Sequence, residues 1–220
     1  MKLKLYLLAG CLMAPLSLFA QNAAAPPAAA EPPKAAPGAA TKADVDPAVI
    51  DTMRKSFAAQ RAKGSFRARI ESTGLGAAVP AVDMEFVFPD RMRMKMSGVE
   101  VVGVGEKTMV KMGEGWNPAP SSLKSAGSDF GDPKKVEEML ATAVAAKSLG
   151  PAKVDGIPVD SYQLNTKNKE GISRSKIYII PATGLIQRIE TEAEMGGQKA
   201  TSRMDYFDYG APIKIELPKQ

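Results

Sequence analysis

The sequence predicts a mainly β protein with some α (the α+β class): a curved antiparallel half-barrel of about eleven strands with helices covering its concave face. Three observations carry this. From Ser65 onward most of the chain alternates apolar and polar residues with a period of two, the mark of strands with one buried face. Only two segments have the 3.6-residue apolar period of a helix. Two amphipathic helices are too few to fill the concavity of so large a sheet, so either the sheet closes on itself or a cavity remains between sheet and helices.

The elements follow in order. Met1 to Lys4 is short and basic, and Leu5 to Ala20 is apolar, ending in Ser17-Leu18-Phe19-Ala20. This is the layout of a secretory signal cleaved after Ala20, and it is shorter than the roughly 20 residues of a spanning helix. Leu8-Ala9-Gly10-Cys11 offers the alternative, a lipoprotein signal acylated at Cys11, but the apolar run surrounds Cys11 instead of ending at it. Residues 21–44 are rich in Ala and Pro without apolar period, which predicts a disordered linker; the folded domain is placed at 45–220. Asp46-Pro47 gives an N-cap and a first-turn proline to a helix with Val49, Ile50, Met53, Phe57 and Ala58 on its stripe, ending at Gly64.

Alternation then predicts strands from Ser65, over Val82 to Phe88, over Met92 to Met96, over Glu100 to Val104 and over Thr108 to Met112, joined by short turns. Gly113 to Phe130, with Trp116, reads as an irregular loop. Asp132-Pro133 repeats the capping signature before a helix carrying Val136, Met139, Leu140, Ala143 and Val144 and ending near Lys147. Strands resume at Ala152–Val154, Val159–Thr166, Ile172–Ile180, Leu185–Ala193, Lys199–Tyr209 and Ile213–Leu217, with hairpin turns at Asp155-Gly156 and Gly196-Gly197 among them.

Composition removes most chemistries. The chain has 220 residues, no His and one Cys, and that Cys lies in the leader. Imidazole bases, thiol catalysis, disulfides and N/S zinc sites are excluded for the mature chain. Candidate acids Asp155, Asp160, Glu190, Glu192, Asp205 and Asp208 fall at turns or on polar strand faces instead of converging in a cleft. No catalytic residue, metal site or cofactor is expected. The formal net charge of +5 falls to three without Lys2 and Lys4, and Arg and Lys alternate with apolar residues as in Arg91-Met92-Arg93-Met94-Lys95-Met96, so nucleic acid is not expected as a partner.

Several turn motifs carry a family resemblance. Phe88-Pro89-Asp90-Arg91-Met92-Arg93-Met94, Val154-Asp155-Gly156 followed by Tyr162, Ile177 to Ile186 with its Gly184-Leu185 turn, and the closing Tyr206-Phe207-Asp208-Tyr209-Gly210-Ala211-Pro212-Ile213 resemble segments of the LolA-like proteins. These include the outer-membrane lipoprotein carrier LolA, the N-terminal domain of the regulator RseB, and lipid-binding lipoproteins of the LppX and LprG type. The resemblance implies a half-open barrel holding acyl chains on its concave side. Methionine suits such a lining, being unbranched and adaptable. The expected lining is Phe66, Met84, Phe86, Phe88, Met92, Met94, Met96, Val110, Met112, Ile177 and Ile179, with Met53, Phe57, Met139 and Leu140 as the helical cover. The implied function is that of a non-catalytic periplasmic carrier or chaperone, monomeric, whose partner is lipid or the acyl chains of a lipoprotein. The alternative is an RseB-like envelope-stress sensor acting through a protein partner.

Overall fold

The computed structural model describes residues 44–74, 79–120, 132–168, 171–195 and 198–218. The signal with Cys11, residues 21–43 of the expected linker, and the turn at Gly196-Gly197 lie outside them. The order is α1 (Pro47–Ala62), β1 (Ser65–Gly74), β2 (Val79–Val87), β3 (Arg91–Met96), β4 (Val99–Val104), β5 (Lys107–Met112), β6 (Gly115–Pro118), α2 (Pro133–Ala141), β7 (Ala143–Val154), β8 (Ile157–Lys167), β9 (Ile172–Ile180), β10 (Leu185–Met195) and β11 (Gln198–Phe207).

All eleven strands form one antiparallel sheet in the order β6-β5-β4-β3-β2-β1-β11-β10-β9-β8-β7. Two meanders therefore meet at one seam, where the first strand pairs with the last from Arg67↔Phe207 to Gly74↔Ala200. The edges, β6 and β7, do not pair with each other, so the barrel stays open. Register shifts in β1, β10 and twice in β7 add the local bends that curve a sheet. Two hairpins turn through consecutive positive-φ residues, Ser97-Gly98 and Asp155-Gly156, and the glycine of each takes a φ above 80° that a side chain disfavours.

Both helices begin as their sequences dictate. Asp46 accepts from the Ala48 N–H and Asp132 from the Lys134 N–H, each at 2.9 Å, and each cap precedes a proline at the first helical position. The strand total matches the expectation, but its composition differs in three places. Trp116 lies on a short strand, β6, instead of in a loop, because Gly115–Pro118 pairs with the edge of β5. The second helix stops at Ala141 and not near Lys147; Ala143 onward pairs with β8, so backbone bonding to a neighbouring strand overrides the helical propensity of alanine. The expected strand Ile213–Leu217 joins no ladder, although Ile215 is buried; Arg91 on the outer face of β3 donates to the Ile215 carbonyl at 3.2 Å.

Candidate functional site: the concave apolar face

The register sorts side chains into two faces. Across the sheet, Tyr206, Ala68, Met84, Met94, Val101 and Val110 oppose one another strand by strand, and Phe66, Phe86 and Met92 form the adjacent row. These rows belong to one apolar cluster that also takes in Ile70, Val82, Ile177, Ile179, Ile186, Ile189 and Met204. The cluster is the concave face.

Of the expected lining residues, Phe66, Met84, Phe86, Met92, Val110, Ile177 and Ile179 are buried in it, while Phe88, Met94 and Met96 are half-buried against it. Met112 is opposite Val99 on the same face but lies at the strand end, 66% exposed and outside the packed cluster. Of the expected cover, Met53 and Leu140 are buried, and Phe57 and Met139 pack on the cluster from its margin.

The helices are not spread evenly. α1 packs mainly against β1, β7, β10 and α2, and so lies over the half built from the C-terminal meander. Its inward stripe is Val49, Met53, Ser56 and Gln60; Ala58, expected on the stripe, is exposed. The two helices are joined by a forked ion pair, Arg54 Nε to Glu137 Oε1 at 2.5 Å and Nη2 to Oε2 at 3.0 Å. This bond from Arg54 holds the Glu137 carboxyl below its ordinary value and raises the Arg54 guanidinium.

Sequence reasoning missed the polar groups beneath α1. Gln60 is 1% exposed, and its Nε2 donates to Tyr209 Oη at 2.9 Å, which in turn donates to the Ile186 carbonyl at 2.6 Å. Burial pushes the Tyr209 phenol upward, so it stays protonated. Phe66 sits at the centre of an aromatic group, stacked on Phe86 with centroids 4.8 Å apart and tilted against Phe88, Tyr206 and Tyr209. A polar residue on an apolar stripe reads as outward from sequence alone, and only the repeat of Tyr206 and Tyr209 near the chain's end hinted at this group.

The convex face carries the charge. Arg67, Glu85 and Arg93 are cross-strand neighbours linked at 2.9 and 3.0 Å, and Arg67 also reaches Asp208 at 2.8 Å. Arg188, 8% exposed, binds Asp205 at 2.5 Å and Asp155 at 2.7 Å, and Tyr178 donates to Glu190 at 2.9 Å. Asp155, Asp205 and Asp208 are thus engaged by arginines on the outside of the sheet. Trp116 is opposite Lys111, also on the convex side, and does not plug the concavity.

Two clefts are formed by described residues: one of about 420 Å³ at the β3–β4 turn, reaching Met96, Val99 and Lys111, and one of about 240 Å³ on the convex face between Arg67, Glu85 and Arg93. The apolar face is covered on the half beneath α1, and α1 is tied to α2. Among the described residues no helix is long and apolar enough to cross a membrane.

Against solved structures, the chain is similar to the lipoprotein LppX of Mycobacterium tuberculosis, at 16% identity and TM-score 0.60 over 78% of this chain and 100% of that one. It is also similar to LprF of Mycobacterium bovis, at 12% identity and TM-score 0.56 over 80% and 100% respectively. The MucA/MucB complex of Pseudomonas aeruginosa matches more loosely, with TM-score 0.45 at 16% identity over 75% of this chain and 59% of that one. No protein-family model and no curated protein sequence matches the chain. At these identities the likeness establishes the fold alone, the one shared with LppX and LprF.

Proposed function

We propose that this protein is a non-catalytic component of the bacterial cell envelope that shelters the acyl chains of a lipid or lipoprotein against its concave face. The observation that carries this reading is the asymmetry of the cover. A continuous apolar face spans both meanders, but the helices sit over one half, and the other half offers Met94, Met96 and Val99 with partial burial only. Apolar chains moved from water onto such a face gain about 0.8 kcal/mol per buried CH2, and methionine adapts to chains of different shape. The fold shared with LppX, a lipoprotein, supports an envelope setting. The leader supports export, with Gln21 as the mature N-terminus of a monomeric periplasmic protein; acylation at Cys11 is the alternative that intact mass would reveal.

Native mass spectrometry of the protein purified without detergent tests the reading. Bound lipid or acylated peptide released on activation is the expected result. A lipid-free protein that retains a stoichiometric protein partner would overturn it in favour of a sensor.

A further inference from the structure

Tyr206 faces the concavity from β11, opposite Ala68 on β1. It is 1% exposed, and its hydroxyl has no hydrogen-bond partner among the described residues. The neighbouring Tyr209 hydroxyl donates to Ile186 and accepts from Gln60, and makes no hydrogen bond to Tyr206. A phenylalanine would fill the same space without burying a lone donor, and a buried polar group without a partner is destabilising. The Tyr206 ring packs on Phe66 at 5.6 Å, which fixes its place in the aromatic group.

We propose that Tyr206 Oη donates a hydrogen bond to the carbonyl oxygen of an acyl ester when the concave face is occupied. The ester linkage, and not hydrocarbon alone, is then what this face recognises. The inference rests on the lipid-binding reading above and narrows its ligand. The chemistry follows from the surroundings. A carboxylate or phosphate at this depth would need a cation, and Arg67, Arg93 and Arg188 all lie on the convex side. A ligand hydroxyl or amine would bring a donor of its own to satisfy. An ester carbonyl is a neutral acceptor with no donor, and it is joined directly to an apolar chain. Burial keeps the phenol protonated and therefore a donor.

Access follows from topology. β11 lies between β1 and β10, and α1 packs against both of these neighbouring strands. Oη becomes available to a ligand when α1 lifts from the sheet.

The test compares the full exported chain with Tyr206→Phe, using diester lipids and their diether counterparts of equal chain length. A phosphatidylglycerol and a diacylglyceryl-cysteine peptide serve as the two ester sources. The wild type is expected to bind the ester form of the tighter source about 5- to 10-fold better than its ether form. Tyr206→Phe should erase that preference, leave ether binding unchanged and melt at the same or a higher temperature. Equal ester and ether affinities in the wild type, or a preference that survives in the variant, would overturn the role of Tyr206 while leaving lipid binding intact. A variant that melts several degrees lower would overturn it as well, because the hydroxyl would then have a structural partner. Binding of neither class would overturn both this inference and the reading on which it rests.

Discussion

The two halves of the sheet solve the same problem with different residues. On β2 to β5 the concave face carries Met84, Met92, Met94, Met96 and Met112, whereas on β9 and β10 its buried isoleucines are Ile177, Ile179, Ile186 and Ile189. The isoleucine half lies under α1, and the methionine half is outside the main contacts of either helix. Branched side chains with few rotamers pack a fixed partner closely, while an unbranched thioether tolerates one that changes. The division suggests a structural half that holds the cover and an adaptable half that receives chains. Similar backbone geometry thus supports two mechanical characters.

The largest expected effect separates the halves directly. Ile189→Ala should cost about 3 kcal/mol, since Ile189 is 1% exposed under α1, while Met94→Ala at its half-buried position should cost about 1 kcal/mol, both measured by urea unfolding. Equal losses would erase the distinction. On the convex side, Arg188→Ala removes a buried arginine that bridges Asp155 and Asp205, leaving Asp205 with Arg203 alone, and should cost about 2 kcal/mol; Arg93→Ala, where the arginine is more exposed, should cost under about 1 kcal/mol. A double substitution, Met94→Ile with Met96→Ile, should change stability by less than about 1 kcal/mol yet narrow the range of chain lengths bound, read by mass spectrometry of extracted lipid. An unchanged lipid profile would count against adaptability as the role of these methionines.

The smallest effect concerns the tie between the helices. Glu137→Gln should leave the unfolding midpoint in place and accelerate amide exchange in α2. Acid should reproduce this. The Arg54 bond depresses the Glu137 value in the fold, so the tie is intact above the ordinary glutamate value of 4.5 and is lost as pH falls through the lower folded-state value. Exchange in α2 that ignores acid would show that the ion pair does not hold it.

Most strands were legible because alternation and turn residues agree, as in Met92 to Met96 or the Asp155-Gly156 hairpin. The departures share a cause. Ala143 to Ala146 has helical propensity and Gly115–Pro118 has almost none for strand, but each becomes β through a partner strand that local sequence does not reveal. The alternation of Ile213, Ile215 and Leu217 predicted a strand; Ile215 is buried, but the segment pairs with neither edge of the sheet. For the candidate site, the apolar face of the sheet could be read from period alone. Ser56, Gln60 and the Tyr206 hydroxyl could not, since their burial depends on how α1 rotates against the sheet.

The way the chain enters α1 has a mechanical consequence. Val45 forms a parallel bridge with Ala146, and the Asp46 N–H donates to the Ala146 carbonyl at 2.9 Å, immediately before the helix starts at Pro47. A pull applied upstream loads this short clip in shear at the margin of β7. Once the clip gives way, the load falls on the first turn of α1 and peels the helix from the sheet, whereas the eleven strands, bonded in unbroken succession, resist as a block. Tension on the N-terminal side therefore strips the cover before it deforms what lies beneath.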